Sequence, residues 1–387
     1  MSARLATPAH IPALDGLRGV AIAMVLAVHF IGDATPANAA ERVVVKIANY
    51  GIFGVDLFFV LSGFLITGGL LSARGLPFAL RHFYIRRALR IFPLYYALLF
   101  ALFVVGPRLA FYPEGLAESA GHQSWIWTYG TNLFLAGRGT WSLPYVAHFW
   151  SLAVEEHFYL VWPLVVLWGS RGSLLRVCAA VALGSAGLRC LCAALGASDV
   201  TLVVLTPLRL DALALGAGLA VAVREVGVGE LARHASRALA VSCALVVGTS
   251  LAAMRMSGGA RAAVLSSRGT WIAIAFASLM LLSAAAPQSS RLCRVLVGRP
   301  LRALGVYSYG LYAFHGIVAY AMFESRAEFR LGAALGSHSA AVLLLAVAGT
   351  SASLLLAAAS FEFFERRLLA LKDRLAPGRA AQTSVAR

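Results

Sequence analysis

Charged side chains are scarce throughout this 387-residue sequence. They make up 13% of the residues, whereas hydrophobic residues make up 60%, and the mean hydropathy is +0.79. A soluble domain usually carries about a quarter charged residues, because polar groups must cover its surface in water. The scarcity therefore excludes an ordinary soluble protein and favours one whose apolar exterior is solvated by lipid.

Cysteines and acidic residues are also few. The five cysteines show no CxxC spacing and lie in or beside apolar segments, so we predict no disulfide framework, no metal site and no permanently bound cofactor. Acidic residues number 17 against 33 lysines and arginines. Asp33 and Glu41 are too sparse to hold Mg²⁺, which argues against a transferase that uses a polyprenyl donor. The basic excess is explained better by the orientation of membrane helices than by nucleic-acid binding.

Long apolar segments follow one another too closely for separate soluble domains. Because a membrane helix needs about 20 mostly apolar residues, we predict an all-α integral membrane bundle of about ten transmembrane helices. Segment 122–137 is rich in aromatic residues and suits an interfacial or re-entrant helix. The predicted spans cover residues 11–31, 50–73, 91–106, 145–169, 174–195, 202–223, 238–256, 268–286, 303–323 and 339–361.

The distribution of basic residues predicts how the helices are oriented. With the N-terminus in the cytoplasm, roughly two thirds of the 33 lysines and arginines fall in cytoplasmic segments. We therefore predict a multi-pass protein of the cytoplasmic (inner) membrane with both termini in the cytoplasm. The membrane domain would cover residues 1–365, and residues 366–387 would form a basic cytoplasmic tail, disordered from Pro377. In the alternative, residues 1–40 are a signal peptide whose removal leaves nine helices and an external C-terminus.

Arg18 and His29 are ionisable residues inside the first predicted span. They are eleven residues apart, so they project from one face of the helix and lie about 16 Å apart along its axis. Ionisable groups are costly in a membrane and are often functional. Arginine binds phosphate bidentately and histidine accepts a proton from a hydroxyl, so the pair would suit a long ligand such as acyl-CoA. A boundary arginine with a packed histidine is the structural alternative.

Further ionisable residues lie in the fourth, sixth and second spans. Glu155 and Glu156 point about 100° apart and cannot share one partner, so one would pair with a cation and the other face a polar cavity, unless both merely tie helices together. Arg209 and Asp211 are two residues apart, so we expect each to bond to another span. Asp56 is expected to find a cation.

A basic stretch at 81–96 and a histidine in the ninth span complete the candidates. Arg86, Arg87 and Arg90 lie in a predicted loop, where they would either anchor the helices at the membrane surface or bind phosphate at the mouth of a donor tunnel. His315 would be a core histidine bonded to a neighbour or a further site residue.

Six of these segments together resemble the acyltransferase-3 family, polytopic membrane enzymes that O-acylate sugars and antibiotics. The resemblance covers residues 11 to 365, and six motifs in the family's order are specific where one alone would be weak. Ala153 departs from the family's usual serine, but Ser151 is retained. The matching segments are Arg18 to His29 with the preceding Leu14-Asp15-Gly16-Leu17, GVDLFFVLSGFLI at 54–66, Arg86 to Tyr95, Trp150 to Tyr159, Arg209 to Gly216 and Ser308 to His315.

The resemblance implies a membrane O-acyltransferase that moves an acyl group, expected to be acetyl, from cytoplasmic acyl-CoA to a hydroxyl of a carbohydrate or glycoconjugate. It implies that His29 is the catalytic base and that Glu155 and Glu156 are essential. Arg18 would bind the donor. The other donor-binding residues would be Arg86, Arg87 and Arg90, and supporting residues are expected at Asp15, Asp56, Trp150, Ser151, Tyr159, Arg209, Asp211 and His315.

The predicted mechanism is direct attack of the deprotonated acceptor hydroxyl on the thioester. An acyl-enzyme would need a nucleophile, for which Ser151 is the best candidate. We expect no fused SGNH hydrolase-like domain, so the chain would complete the transfer itself or pass the acyl group to a separate extracytoplasmic partner. The rival function is a transporter or flippase for a lipid-linked sugar or acyl group, which would move its substrate without consuming acyl-CoA.

Overall fold

The computed structural model describes residues 11–110 and 112–376, apart from the side chains of Arg171 and Asp373. The described chain is helical almost throughout and contains no strand, so the predicted all-α fold is confirmed. Its ten longest helices are α1 (Pro12–Ala27), α2 (Gly54–Ala73), α3 (Ala79–Phe100), α4 (Trp150–Trp168), α5 (Arg171–Ala194), α6 (Leu210–Val226), α7 (Val228–Ala253), α8 (Gly258–Ala285), α9 (Ser308–Glu324) and α10 (His338–Ser360).

Three of these helices continue as π-helical turns, at Val28–Gly32 after α1, Ala101–Val105 after α3 and Phe361–Glu365 after α10. Short helices occupy the connections. The α-helical ones are Ala39–Asn49, Glu114–Ala120, Gln123–Trp127, Thr131–Arg138, Asp199–Val204, Arg291–Leu296, Arg299–Val306, Ala327–Leu335, Arg366–Leu369 and Lys372–Leu375, and the 3₁₀ turns are Tyr50–Phe53, Gly106–Arg108, Ala147–Phe149 and Thr206–Leu208.

Each predicted span overlaps one long helix, but within residues 11–110 and 112–376 only seven stretches are long and apolar enough to cross a membrane. Helices α4, α6 and α9 fall outside that set. Helices α6 and α9 have 17 residues each, and α4 includes Glu155, Glu156 and His157. The chain is thus a multi-pass membrane protein, while the count of ten spans stays a prediction. The seven stretches are Pro12–Gly32, Ala39–Ala73, Ala79–Arg108, Gly172–Ala194, Val228–Ala253, Gly258–Ala285 and His338–Leu369.

The third helix begins much earlier than its predicted span. Helix α3 starts at Ala79 and passes through Pro93, so the basic stretch 81–96 is helical and its assignment as a loop was wrong. Arginine, leucine and alanine are strong helix formers, which favours helix over this stretch once it packs against neighbours. Segment 122–137 is also helical, as two short pieces separated by Tyr129, whose φ is +56°.

The predicted C-terminal tail begins with ordered structure. The turns Arg366–Leu369 and Lys372–Leu375 extend the helical chain past residue 365. Residues 377–387, where disorder is predicted, lie outside the described residues, as does Arg4, which contributed to the predicted orientation.

Helix α1 lies at the centre of the bundle. Its Leu17, Ala21 and Ile22 are almost fully buried, and it packs against α2, α9 and the short helix Arg299–Val306. Small residues allow α2 and α6 to pack closely against each other. A Cβ atom on Gly63 of α2 would overlap a carbonyl of α6, and one on Gly216 of α6 would overlap a carbonyl of α2. These glycines let the two backbones touch, because small residues allow close approach of membrane helices.

Candidate functional site

His29 lies in the π-helical turn that continues α1. Its Nδ1 is 3.0 Å from Oδ2 of Asp33, and the two side chains are 30% and 58% exposed. A carboxylate only accepts hydrogen bonds, so Nδ1 carries the proton and the neutral ring presents an Nε2 lone pair. The wider turn brings Asp33 under His29, and π-helical turns of this kind occur often at functional sites. The pair therefore has the arrangement of an oriented general base.

Two more histidines surround the buried side of His29. The ring of His315 on α9 lies 5.0 Å from that of His29, and the ring of His148 lies 5.1 Å from that of His315. We call His29, His148 and His315 the histidine cluster. Nε2 of His148 donates to the carbonyl of Ala313 at 3.2 Å. Over the described residues, no group of three His, Cys, Asp or Glu side chains has the geometry to hold a metal ion.

A half-open cavity of about 140 Å³ lies between α1, α2, α3, α4 and α9, and we call it the arginine cavity. Arg18 enters it from α1, and Arg87 and Arg90 enter it from α3. Arg18 is 3.2 Å from Asp15 and is 36% exposed. Within the described chain, Arg87 and Arg90 form no ion pair. The remaining polar lining consists of Ser62, Ser151, Glu155, Tyr159, Ser308, Tyr309 and Tyr312.

A second cavity of about 280 Å³ adjoins the arginine cavity between α2 and α3, and we call it the entrance cavity. Its basic wall is formed by His82, Arg86 and Arg87, and its opposite wall is apolar. Both cavities are lined by Leu65, Ile66 and Arg87. Arg87 therefore stands on the boundary between them, with its guanidinium 5.5 Å from the ring centre of Tyr159.

The two adjacent glutamates of α4 face different surroundings, but neither forms the predicted ion pair with a cation in the described part of the chain. Glu155 lines the arginine cavity and contacts the hydroxyls of Tyr159 and Ser62. Glu156 points instead towards α3 and Tyr129, and its Oε1 is buried without a hydrogen-bond partner in the described part of the chain. Glu155 is thus placed beside a ligand in the cavity, whereas Glu156 belongs to the wall behind it.

Tyr312 of α9 closes the arginine cavity on the side of the histidine cluster. Its hydroxyl donates to the carbonyl of His148, and its ring lies 5.4 Å from that of His315. Oγ of Ser151 is 2.8 Å from the same hydroxyl. Because the phenol proton is already committed to His148, the Ser151 hydroxyl must donate to Tyr312. The tyrosine is the last cavity residue before the cluster.

A separate group of charges lies between α2, α5 and α6. Arg189 of α5 forms a bidentate ion pair with Asp211 of α6 at 2.7 and 3.0 Å, and Arg209 is 2.7 Å from Asp56. We call these four residues the ion-pair cluster. The predictions that Arg209 and Asp211 bond to other spans and that Asp56 meets a cation are confirmed. The guanidinium of Arg209 also lies 5.9 Å from the ring centre of Trp150.

The candidate residues thus form three groups. The arginine cavity brings together the predicted donor-binding residues Arg18, Arg87 and Arg90, and Arg86 lies in the entrance cavity. His29 and His315 meet in the histidine cluster, which touches the arginine cavity through Tyr312. The remaining supporting residues Asp56, Arg209 and Asp211 lie in the ion-pair cluster. Sequence reasoning missed Asp33, His148, Arg189 and Tyr312 as members of these groups.

Three of the missed residues carry a signal in the sequence. Asp33 follows His29 by four residues, which is the spacing of side chains that meet on one helix face. Tyr312 lies in the matching segment Ser308 to His315, and Arg189 is an ionisable residue within the predicted span 174–195. Their partners depend on tertiary packing, which residue spacing does not report.

The fold and these cavities define a multi-pass membrane protein with a polar site enclosed by its helices. The sequence profile of the acyltransferase-3 family, described as an acyltransferase domain, matches residues 11–361. The chain therefore belongs to this family, as its motifs predict. No solved structure matches the chain significantly.

Curated relatives share the same region. The chain is 30% identical over 325 residues to a Bacillus subtilis protein provisionally named peptidoglycan O-acetyltransferase YrhL, covering 79% of this chain and 48% of the relative. It is 29% identical over 330 residues to the O-acetyltransferase OatA of Staphylococcus aureus, covering 81% and 51%. It is 34% identical over 166 residues to the peptidoglycan O-acetyltransferase OatA of Listeria monocytogenes, covering 41% and 24%. The chain spans about half the length of the first and second of these relatives.

Proposed function

We propose that this protein transfers an acetyl group from acetyl-CoA, supplied at the cytoplasmic face, to a hydroxyl of a carbohydrate, with His29 as the general base. The observation that carries the proposal is that the arginine cavity, which Arg18 lines, is bounded by Tyr312, whose ring lies 5.4 Å from that of His315 beside His29. The family and its relatives supply the reaction class. Because two of those relatives are named for peptidoglycan, its glycan strands are the first acceptor to test.

The donor would enter through the entrance cavity. Acetyl-CoA carries phosphates at one end and a thioester at the other, and Arg86 and Arg87 offer guanidinium groups that bind phosphate bidentately. The acyl arm would then occupy the arginine cavity with Arg18 and Arg90 beside it. A group held at Arg18 lies about 16 Å from His29 along the helix axis, so the donor must be long.

The acceptor would approach from the opposite side, where His29 and Asp33 are partly exposed. Nε2 of His29 takes the hydroxyl proton while the oxygen attacks the thioester carbonyl. The C–S bond then breaks, and the thiol leaves with a proton. Asp33 holds the ring in the tautomer that accepts at Nε2 and stabilises the imidazolium that forms, in the manner known for histidine bases oriented by a carboxylate.

Direct transfer is favoured over an acyl-enzyme by the contacts of Ser151. A nucleophilic serine needs a base that accepts its proton. Ser151 instead donates to the phenol of Tyr312, which has already given its own proton to the carbonyl of His148. No base in this chain of hydrogen bonds activates the serine.

The test is transfer of radiolabelled acetyl groups by protein reconstituted in liposomes, with peptidoglycan oligosaccharides as acceptors. The native protein should consume acetyl-CoA, and His29→Ala should lower turnover about 10²- to 10⁴-fold, the usual contribution of a general base. The control is His234→Asn, which removes an exposed histidine far along the chain. A His29→Ala variant with near-native turnover would contradict the assignment of the base.

The same liposomes distinguish the proposed enzyme from a transporter. A transporter would move the labelled sugar or acyl carrier across the membrane without loss of the thioester. Consumption of acetyl-CoA that depends on the acceptor would exclude it. Movement of the sugar without any consumption, across acyl-CoAs of several chain lengths, would replace the enzyme proposal.

A further inference from the structure

His315 is a fully buried histidine with one uncommitted nitrogen. Its Nδ1 lies 2.7 Å from the carbonyl oxygen of Tyr312 and 3.2 Å from that of Leu311. Carbonyl oxygens only accept, so Nδ1 carries the proton and Nε2 presents a lone pair. Nε2 is buried, and no residue in the described part of the chain bonds to it. Leaving a buried acceptor unpaired is costly, which calls for a partner during function.

The position of His315 suggests which partner this is. Its ring lies 5.0 Å from that of His29 and 5.4 Å from that of Tyr312, the residue that closes the arginine cavity. His29 is 30% exposed, whereas His315 is 0% exposed. A thioester that moves out of the arginine cavity past Tyr312 therefore meets His315 before it meets His29. The acceptor, which comes from the exposed side, meets His29 first.

The third member of the histidine cluster does not offer the same chemistry. Nε2 of His148 donates to the carbonyl of Ala313. Its remaining nitrogen packs against Gly316, where even a Cβ atom would overlap the ring. His148 is thereby held as a packing residue, and the two available imidazole nitrogens of the cluster are Nε2 of His29 and Nε2 of His315.

We infer that His315 is a second catalytic residue, which receives the acceptor's proton from His29 and delivers it to the departing thiolate. The inference rests on the acetyl-CoA reaction proposed above. The acceptor's O–H bond breaks with its proton going to Nε2 of His29, and its oxygen bonds to the acyl carbon. The C–S bond breaks with its electron pair going to sulfur. The proton passes from Nε2 of His29 to Nε2 of His315 and then to sulfur, so both rings end neutral.

The surroundings of the cluster explain why a relay is needed. A thiolate released among buried side chains loses the hydration that stabilises it in water, and burying an unpaired charge is expensive. His29 is turned towards the acceptor side and Asp33. His315 is on the side of the cavity from which the sulfur arrives. Two bases on opposite sides of the acyl carbon divide the proton transfer between them.

The experiment compares two acetyl donors in His315→Asn protein reconstituted in liposomes. Acetyl-CoA releases a thiolate that must gain a proton in the site, whereas p-nitrophenyl acetate releases a phenolate that leaves without one. We expect kcat with acetyl-CoA to fall about 10²-fold, the lower range for lost proton transfer. The KM for acetyl-CoA and turnover of p-nitrophenyl acetate should stay within about threefold of the native values. His29→Ala should lose activity with both donors.

Two further variants keep the test decisive. His315→Gln provides a second side chain in case the asparagine variant does not fold. His157→Asn is the matched control, since His157 is a half-buried histidine of α4 whose Nδ1 bonds Thr206 at 2.8 Å. The control should stay within about threefold of native kcat with either donor.

Several results would overturn the inference. Equal losses with both donors would mean that His315 is structural or assists the acceptor. A raised KM with unchanged kcat would make it a donor-binding residue. If the native protein did not turn over p-nitrophenyl acetate, the kinetic constants of His315→Asn with acetyl-CoA would decide. A lower kcat with an unchanged KM would support the inference, and any other result would contradict it. A native protein that consumed no acetyl-CoA would instead refute the proposed function itself.

Discussion

Two groups of charged residues pack against α2 and are built on different rules. In the ion-pair cluster, every terminal nitrogen of Arg189 has a partner. Its guanidinium bonds both oxygens of Asp211, the hydroxyl of Thr270 and the carbonyls of Ser266 and Leu208. In the arginine cavity, Arg87 and Arg90 face open volume, and neither forms an ion pair within the described chain.

The difference separates structural charges from charges that are available to a ligand. A buried ion pair must be well bonded, because its desolvation is compensated only by good geometry and full hydrogen bonding. Arg189 and Asp211 meet that condition, with side-chain exposures of 3% and 2%. Arginines that line a cavity leave their donors for an anion instead. The saturated donors of Arg189 therefore indicate a role in the fold, whereas the donors of Arg87 and Arg90 that face the cavity indicate a role in holding a substrate.

Arg209 belongs to the structural group by its ion pair and ring contacts, although its Nε is buried without a hydrogen-bond partner in the described part of the chain. It pairs with Asp56 at 2.7 Å and lies above the rings of Phe59 and Trp150, at 5.8 and 5.9 Å. Phe59 also lines the arginine cavity. Arg209 thus links the two regions by supporting the aromatic wall between them. We infer that Asp56, Arg209 and Asp211 support the site through packing.

The largest expected effect comes from breaking the ion-pair cluster. Arg189→Met leaves Asp211 buried without its cation, and removing one partner of a buried pair typically costs about 3–5 kcal/mol. We expect a sharp fall in thermal stability, measured by unfolding of the detergent-purified protein. The double variant Arg189→Met/Asp211→Leu removes both charges and should recover most of that loss. A single variant as stable as the native protein would erase the distinction between the two regions.

Much of the fold and part of the site could be predicted from sequence. Helices that cross a membrane need long apolar stretches, so hydropathy predicts the all-α bundle. The motifs locate His29 and the arginines of α3, which lie in the histidine cluster and beside the two cavities. Apolar segments also predict spans at α4, α6 and α9, although α6 and α9 have only 17 residues each and α4 includes Glu155, Glu156 and His157.

The rest depends on packing between distant segments. Arg189 meets Asp211 only because α5 lies beside α6, and Tyr312 meets Ser151 only because α9 lies beside α4. Asp33 was dismissed because it was considered only as a metal ligand. The π-helical turn at Val28–Gly32, which sets its distance to His29, has no clear residue signature. The basic stretch of α3 was misread as a loop because charge was weighted above helix propensity.

The next effect in size concerns the arginines that face the cavities. Losing a hydrogen bond to a charged group costs about 1.5–3 kcal/mol, which corresponds to an increase of roughly 10- to 100-fold in KM. We expect that increase in the KM for acetyl-CoA in Arg87→Gln. We expect a smaller increase in Arg90→Gln, because Arg90 lines only the arginine cavity, whereas Arg87 lines both cavities. Thermal stability should change little, in contrast with Arg189→Met.

Two controls sharpen that contrast. Arg81→Gln removes an exposed positive charge from the same helix without touching either cavity. It should leave the KM for acetyl-CoA unchanged. Acetyl-pantetheine keeps the thioester but lacks the phosphates, so its turnover should be equally poor in native and Arg87→Gln protein. An Arg87→Gln variant that lost stability rather than affinity would place Arg87 in the structural group.

The smallest effect is expected at Asp33. Its pair with His29 is exposed and belongs neither to the ion-pair cluster nor to the arginine cavity. Its side chain is 58% exposed, so its bond to His29 contributes little to stability. Its effect lies in orientation. In Asp33→Asn the amide can donate to Nδ1, which moves the ring proton to Nε2 and removes the lone pair that accepts from the hydroxyl. Because water and rotation of the amide partly restore the correct tautomer at an exposed site, we expect kcat to fall only about tenfold.

The KM for acetyl-CoA and the thermal stability of Asp33→Asn should match those of the native protein, because neither cavity nor the ion-pair cluster is touched. Asp33→Glu restores a carboxylate acceptor on a longer side chain and should recover part of kcat. If Asp33→Asn unfolded at a lower temperature with kcat unchanged, Asp33 would be a structural partner like Asp211. Burial would then be the only property that distinguishes structural from functional charged residues, because a bonded partner would no longer identify the role of the residue.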